Sequence, residues 1–340
     1  MTKKILISDP TLRDGNHAVR HQLSRESFVA YCRAAEVAGV PIVEVGHGNG
    51  LGASSMLVGE CLLSDQEILT LSRAHLSKSL LAIHVIPGFA TIKHDLTQAI
   101  EVGVDVFRIA SHCTEADITK RHIAHVRKAG RQAYGVLMMS HMASLSTLLE
   151  EAKKMESYGA GAVIIMDSAG AYFPEDVTAR ISTLVNGLSI PVGFHGHNNL
   201  GMAVINSVTA VNAGATIVDG TIRGFGAGAG NTQLEVLVAV FDRLGFETGI
   251  DFYKILDAAD IAERLFNPGA AYISPMSIVS GLSGVFSGFA KHVAQAANEY
   301  NVDGRDIFFG LGKRNAVAGQ ESLIFEVARE LAAKSTVNSN

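Results

Sequence analysis

Cysteine is scarce in this 340-residue chain, and no stretch of it stays apolar for long. The three cysteines, Cys32, Cys61 and Cys113, are odd in number and form no C-x-x-C spacing, which argues against a disulfide framework and a thiolate zinc site. No run reaches the ~18 apolar residues of a membrane-spanning helix. Only Ile5-Leu6-Ile7 separates Met1-Thr2-Lys3-Lys4 from Ser8, too little for the apolar region of a signal peptide. A cytoplasmic protein with no membrane partner is therefore expected. Basic excess is missing too: the net charge is −5, which speaks against a nucleic-acid surface. Nor does a G-x-G-x-x-G sit between a first strand and a first helix, as a dinucleotide-binding open sheet would require.

What the chain does have is apolar mass, 48% of its residues, enough for one large core or two ordinary ones. Five segments repeat one pattern, a helix-like stretch, a glycine and then an apolar run, with Gly39, Gly103, Gly130, Gly159 and Gly214 at the junctions. A glycine just past a helix stops it in the left-handed conformation, and a strand buried on both faces follows. The strand candidates are 5–8, 42–46, 80–86, 106–110, 133–138, 162–166, 192–195 and 216–219, with amphipathic stretches such as 25–36 and 145–157 between them. Eight such units fit a (β/α)8 TIM barrel better than a doubly wound open sheet. The predicted organisation is a catalytic barrel over 1–250, a small C-terminal helical domain over 251–333 and a disordered tail over 334–340. Helices are expected at 252–262, 277–299 and 321–333, with Ile278, Leu282, Val285 and Phe289 on one face.

A barrel of this kind works at the C-terminal ends of its strands, and here nearly every strand ends in polar groups. The first delivers Asp9, Arg13, Asp14 and His17, the second Glu44 and His47, the third His84 and the fourth Arg108, Ser111 and His112. The fifth brings Ser140 and His141, the sixth Asp167 and Ser168, the seventh His195, His197, Asn198 and Asn199, and the eighth Asp219. His195 and His197, two residues apart on a strand, point to one face and can share a divalent ion. Asp14, two strands away around a closed barrel, supplies a carboxylate ligand. Two histidines and a carboxylate leave room on an octahedral Mn²⁺ or Mg²⁺ for a bidentate substrate and a water. The permanently charged Arg13 is placed to steady an enolate or carboxylate oxygen, or else forms a salt bridge to Asp9 or Asp14. His17 is the natural general base or acid. His21 and Cys113 are read as structural.

Thr11-Leu12-Arg13-Asp14-Gly15, His195-Gly196-His197-Asn198 and Gly224–Asn231 together resemble the metal-dependent HMG-CoA lyase-like barrels. Within them the chain is most similar to the class II 4-hydroxy-2-oxovalerate aldolases, which cleave 4-hydroxy-2-oxo acids to pyruvate and an aldehyde. The similarity covers most of the chain, including Val45-Gly46-His47-Gly48, His112–Asp117, Leu137–Met142 and Gly319-Gln320-Glu321. The resemblance implies that Asp14, His195 and His197 hold Mn²⁺, with Mg²⁺ or Co²⁺ as alternatives, and that the metal chelates the substrate's carboxylate and 2-oxo oxygen. It implies further that Arg13 stabilises the pyruvate enolate, that His17 takes the C4 hydroxyl proton, and that Ser168 lies in the substrate pocket. It also implies an acylating aldehyde dehydrogenase as partner, within a homo- or hetero-oligomer.

Two positions depart from the family pattern. Gly284-Val285-Phe286-Ser287 has Phe286 where the family carries a tyrosine, and His84-Val85-Ile86-Pro87-Gly88 has His84 where the family has leucines. Both are expected to face the aldehyde, so an altered aldehyde specificity is anticipated. Two other readings stand beside the aldolase: an acyl-CoA-dependent Claisen-type or 2-oxo acid lyase enzyme with the same metal site, and a partner subunit without turnover.

Overall fold

The computed structural model describes residues 3–266 and 271–337. Eight parallel strands close into a barrel in sequence order: β1 (Leu6–Leu12), β2 (Ile42–Val45), β3 (Leu80–Val85), β4 (Val106–His112), β5 (Gln132–Met138), β6 (Ala162–Asp167), β7 (Val192–Gly196) and β8 (Ile217–Asp219). Closure between the first and last strands pairs Leu6 with Ile217 and Ser8 with Asp219. Around the barrel run α1 (Arg25–Ala38), α2 (Asp65–His75), α3 (Thr97–Val102), α4 (Lys120–Lys128), α5 (Leu145–Ser157), α6 (Pro174–Gly187), α7 (Ala203–Asn212) and α8 (Leu234–Leu244). The TIM barrel expected from the eight apolar runs is the observed architecture.

Local chemistry explains the element ends. Ser24 caps α1 by accepting from the Ser27 backbone N–H, and Ser64 and Glu67 form a reciprocal capping box at the start of α2. All five junction glycines take positive φ, for example 77° at Gly39 and 115° at Gly214, where a Cβ would be strained. The strands then alternate. Ile42, Ala82, Val106, Val136, Ile164 and Ile217 belong to the cluster filling the barrel interior, while Val43, Ile83, Phe107 and Val163 join the larger cluster beneath the helices.

β1 runs further than the predicted 5–8. Its pairing with β2 shifts between Asp9 and Leu12, a bulge at Pro10, which has no N–H to donate. Buried Asp9 holds this bulge, accepting from the Thr11 N–H at 2.9 Å, the Thr11 hydroxyl and the Tyr31 hydroxyl at 2.6 Å. The chain therefore leaves the barrel at Arg13 and enters a short 3₁₀ segment, Asp14–Val19. The ionisable groups of this segment thus stand at a strand end and on a tight helical turn, not on one open loop.

The C-terminal part corrects several expectations. α9 (Phe252–Leu265) packs on α1, and Ile255, Ala258, Ala259 and Ala262 enter the main barrel core. Barrel packing thus extends to Phe266, not only to 250. The predicted 277–299 helix is broken: α10 (Pro275–Ser283) ends at Gly284, φ 65°, and α11 (Ala290–Tyr300) follows a short 3₁₀ turn. Ile278 and Leu282 are consequently exposed while Val285 and Phe289 are buried, so the four do not share a face. α12 (Gly304–Lys313) has no counterpart in the sequence reading. α13 (Ser322–Val337) carries helix past Lys334, where a disordered tail was expected to begin; residues 338–340 of that tail lie outside the described residues. Helices α10 to α13 bury their own cluster around Val293, Phe308, Leu311 and Ile324. Among the described residues no helix is long and apolar enough to cross a membrane.

Candidate active site

Asp14, His195 and His197 meet at the C-terminal mouth of the barrel, all three buried, with one ligand atom from each lying within 4.8 Å of the others. Asp14 Oδ2 is 3.8 Å from His195 Nε2 and 4.0 Å from His197 Nε2. His195 and His197 project from the same face of β7 and its extension, their rings edge to face. His195 Nδ1 donates to Asp219 Oδ2 at 2.8 Å, which turns Nε2 towards Asp14, buried and without a hydrogen-bond partner. An imidazole with one nitrogen anchored on a carboxylate and the other bare and facing a second carboxylate is the usual preparation for a metal. One carboxylate and two imidazoles suit a borderline or hard divalent cation. These residues fit such an ion.

Electrostatics support the required protonation states. Burial alone would raise the Asp14 pKa, but Arg13, His197 and His195 together hold it below the ordinary carboxylate range. His197 is pushed down to about 4, by burial first and then by His195 and Arg13. Ligands that are an anionic carboxylate and a neutral imidazole at pH 7 need lose no proton to bind a cation.

Asn231, the last residue of the glycine-rich segment, donates its amide to Asp14 Oδ2 and to the Phe225 carbonyl, at 3.2 Å for the latter. Its Oδ1 is buried without a partner and is a further oxygen donor beside the cluster. The signal available in the sequence was the density of glycine before it. A Cβ at Gly226 would overlap the Asn231 amide, and one at Gly230 would overlap the Gly224 carbonyl.

Arg13 pairs with Asp14 Oδ1 at 3.1 Å and with Glu44, and its Nη1 donates to the Gly48 carbonyl at 3.2 Å. Its Nη2 is buried and unpartnered, a charged donor held ready. Of the two salt bridges considered from sequence, that to Asp14 forms, whereas Asp9 is occupied in the β1 bulge. His17 is 19% exposed with Nε2 4.0 Å from Asp14 Oδ1. Burial lowers its pKa despite the opposing pull of Asp14, so the ring is neutral and can accept a proton. Gly48 lies directly against that ring.

His84 is buried, and burial followed by Arg13 pushes its pKa down to about 3. Glu44 and Arg108 also act on it, which places the ring in the arginine–carboxylate group, with Nδ1 unpartnered. Phe286 stands in a different neighbourhood, 6.1 Å from Phe289 and against the C-terminal cluster. Its segment reaches the barrel mouth through the backbone and the next residue: the Gly284 carbonyl lies 2.8 Å from His141 Nε2, and the Ser287 hydroxyl accepts from Asn199 Nδ2 at 2.9 Å. Ser168 is buried, its Oγ accepting the Met139 N–H at 2.9 Å while its own hydrogen remains to donate. Cys113 is buried and donates to the Met139 carbonyl at 3.2 Å, a packing role.

His21, His47 and Cys61 form a second grouping of ligand-type atoms. Here the imidazoles stack at 3.7 Å and have backbone partners: Gly48 N–H on His21 Nδ1, Asn49 N–H on His47 Nδ1 and the Gly59 carbonyl at His47 Nε2. Three of the four ring nitrogens thus have backbone partners, unlike His195 Nε2 in the first cluster.

Comparison with known proteins fits this geometry. The HMGL-like family model matches residues 4–262, and the DmpG-like communication domain matches residues 271–333. The chain is 79% identical over 332 residues to the 4-hydroxy-2-oxovalerate aldolase of Pectobacterium atrosepticum, covering 98% of this chain and 97% of that one. It is 62% identical over 327 residues to the protein of the same name from Spirochaeta aurantia, covering 96% of each. The carboxyl transferase domain of Rhizobium etli pyruvate carboxylase, solved with pyruvate and biocytin, shares the fold at a TM-score of 0.83 and 16% identity. That alignment covers 98% of this chain and 61% of that one.

Proposed function

The chain belongs to the HMGL-like family, and from that premise we propose that its barrel cleaves a 4-hydroxy-2-oxo acid to pyruvate and an aldehyde with the help of a divalent cation. The observation that carries the reading is the buried trio Asp14, His195 and His197, with His195 Nε2 bare, beside an arginine donor and a neutral histidine. When bound there, a cation such as Mn²⁺ supplies Lewis-acid polarisation of the 2-oxo acid.

The residues of the chain do the rest. His17, its pKa lowered by partial desolvation, accepts the proton of the C4 hydroxyl. The C3–C4 bond then breaks, C4 leaves as the aldehyde carbon, and the electron pair passes into the pyruvate enolate. Arg13 turns its buried, unpartnered Nη2 to the developing oxyanion, a charged donor. A proton returned to C3 completes pyruvate. Ser168 has a hydroxyl hydrogen free to orient the acid.

An altered aldehyde specificity would rest on the imidazole of His84 beside Arg13 and on the Phe286 segment, which reaches the barrel mouth through Gly284 and Ser287. The match at 271–333 supports docking of an acylating aldehyde dehydrogenase, and we propose the cytoplasm as the place of that complex. The experiment is pyruvate release from 4-hydroxy-2-oxovalerate and from longer or more polar 4-hydroxy-2-oxo acids, with Mn²⁺ or with a chelator. Release that is lost on chelation and in His195→Ala is expected; no release from any of them by Mn²⁺-loaded protein would refute the reaction. A preference for the longer or polar acids that reverts in Phe286→Tyr or His84→Leu is expected, and an unchanged preference would refute the altered specificity.

A further inference from the structure

Arg108 is the largest of the fully buried side chains, and neither the metal cluster nor the enolate donor includes it. It rises from β4 and crosses the barrel interior. Its Nη2 binds Asp219 Oδ2 on β8, the strand opposite, while Nη1 reaches Ser8 Oγ on β1 at 3.0 Å and Glu44 Oε2 on β2 at 2.9 Å. Barrel interiors are commonly filled by branched apolar layers. Here the layer below the site contains a charged strut.

Both carboxylates that Arg108 holds are shared with residues of the site. Asp219 Oδ2 also accepts the hydrogen bond of His195 Nδ1, and so fixes which nitrogen of that ring faces Asp14. Glu44 turns its other oxygen, Oε1, to Nε of Arg13. One guanidinium thus stands at the centre of a chain that runs His195, Asp219, Arg108, Glu44, Arg13. Remove it and two buried carboxylates are left facing each other with one cation fewer between them, so each is driven to shift its far partner.

We infer that Arg108 is the positioning residue of the site, setting the metal-ligand imidazole of His195 and the enolate donor Arg13 at one fixed separation through Asp219 and Glu44. The inference rests on the reaction proposed above. It predicts that the two ends separate experimentally, which a merely structural role for a buried arginine would not produce.

The test uses the full chain with Mn²⁺, its affinity followed by the electron paramagnetic resonance signal of the free ion, and kcat and KM for pyruvate release measured at saturating Mn²⁺. Circular dichroism establishes that each variant is folded. Asp219→Asn is expected to weaken Mn²⁺ binding about 10- to 100-fold, as loss of an outer partner of a ligand histidine does. Glu44→Gln is expected to lower kcat by about 10²-fold through the displaced Arg13 and, since Arg13 also pairs with Asp14, to weaken Mn²⁺ binding less than Asp219→Asn does. Arg108→Gln should lose both, and Arg108→Gln combined with Asp219→Asn should bind Mn²⁺ no more weakly than the weaker single variant. Wild-type metal affinity and kcat in a folded Arg108→Gln would overturn the inference, as would additive losses of affinity in the double variant. Should Arg108→Gln fail to fold, the isosteric variants decide: Glu44→Gln weakening Mn²⁺ binding as much as Asp219→Asn, or Asp219→Asn leaving it unchanged, overturns the strut. Should the wild-type protein release no pyruvate, the proposed reaction fails, while the Mn²⁺ titrations still decide the Arg108–Asp219–His195 half.

Discussion

Gly48 offers the most direct test of the role given to His17. A Cβ built on Gly48 would lie 2.5 Å from Cδ2 and 2.6 Å from Cε1 of the His17 ring, and closer still to Nε2. Nonbonded carbons sit about 3.5–4.0 Å apart, so the ring must retreat by about 1 Å. Gly48 is not among the glycines with positive φ, so alanine fits the backbone there. Its carbonyl contact to Arg13 and its N–H contact to His21 are main-chain and survive. Misplacing a catalytic group by about 1 Å costs on the order of 10²-fold in rate, equivalent to ~2.7 kcal/mol in the barrier. Removing the base altogether in His17→Ala should cost about 10²- to 10⁴-fold. The assay is pyruvate release at saturating Mn²⁺, with Mn²⁺ affinity and thermal unfolding measured alongside. Gly48→Ala should lower kcat about 10²-fold with metal affinity unchanged, and Gly48→Ala/His17→Ala should be no slower than His17→Ala. A Gly48→Ala enzyme within about threefold of wild type, or a double variant in which the two losses multiply, would refute the placement of His17 as base.

Two more predictions follow from other residues. Asn231→Ala removes the amide held on Asp14 Oδ2, and Mn²⁺ affinity should fall about 10- to 100-fold; calorimetric titration finding wild-type affinity would remove Asn231 from the site. Glu36, at the end of α1, accepts the backbone N–H groups of Ser77, Lys78 and Ser79 and the Ser77 hydroxyl. These bonds outweigh burial and lower its pKa from 4.5 to about 2. Because the folded pKa is the depressed one, this stabilisation is complete above about pH 4.5 and drains away as pH falls towards 2. The unfolding free energy of wild type should therefore exceed that of Glu36→Gln at pH 7, and the gap should narrow in urea titrations at about pH 3; a gap independent of pH would show that the carboxylate charge contributes nothing.

Much of the barrel was legible because its signals are local. A buried parallel strand must be apolar on both faces, and a helix that stops under a following strand needs a residue able to take positive φ, so the runs and the five glycines mark the units directly. His195 and His197 were legible as a pair for the same reason, since spacing of two on a strand fixes a common face. The break at Gly284 was not, because the apolar residues on either side of it continue a helical spacing that only the packing of Val285 and Phe289 interrupts. α12 escaped because glycines at 304, 310 and 312 carry little helical propensity, and burial of Ile307, Phe308 and Leu311 supplies what propensity does not.

By itself the amino-acid sequence determined the closed eight-stranded architecture, the candidate metal-ligand residue types and the strand ends that carry them. Periodicity and spacing are properties of the chain within a few residues. Which polar groups meet across the barrel was decided only in three dimensions. Arg108 and Asp219 are 111 positions apart, and Asn231 reaches Asp14 over 217. No local pattern encodes such contacts. They exist because the strands close into a ring and bring opposite ends of the chain to one layer, where low dielectric forces each charge to find a partner.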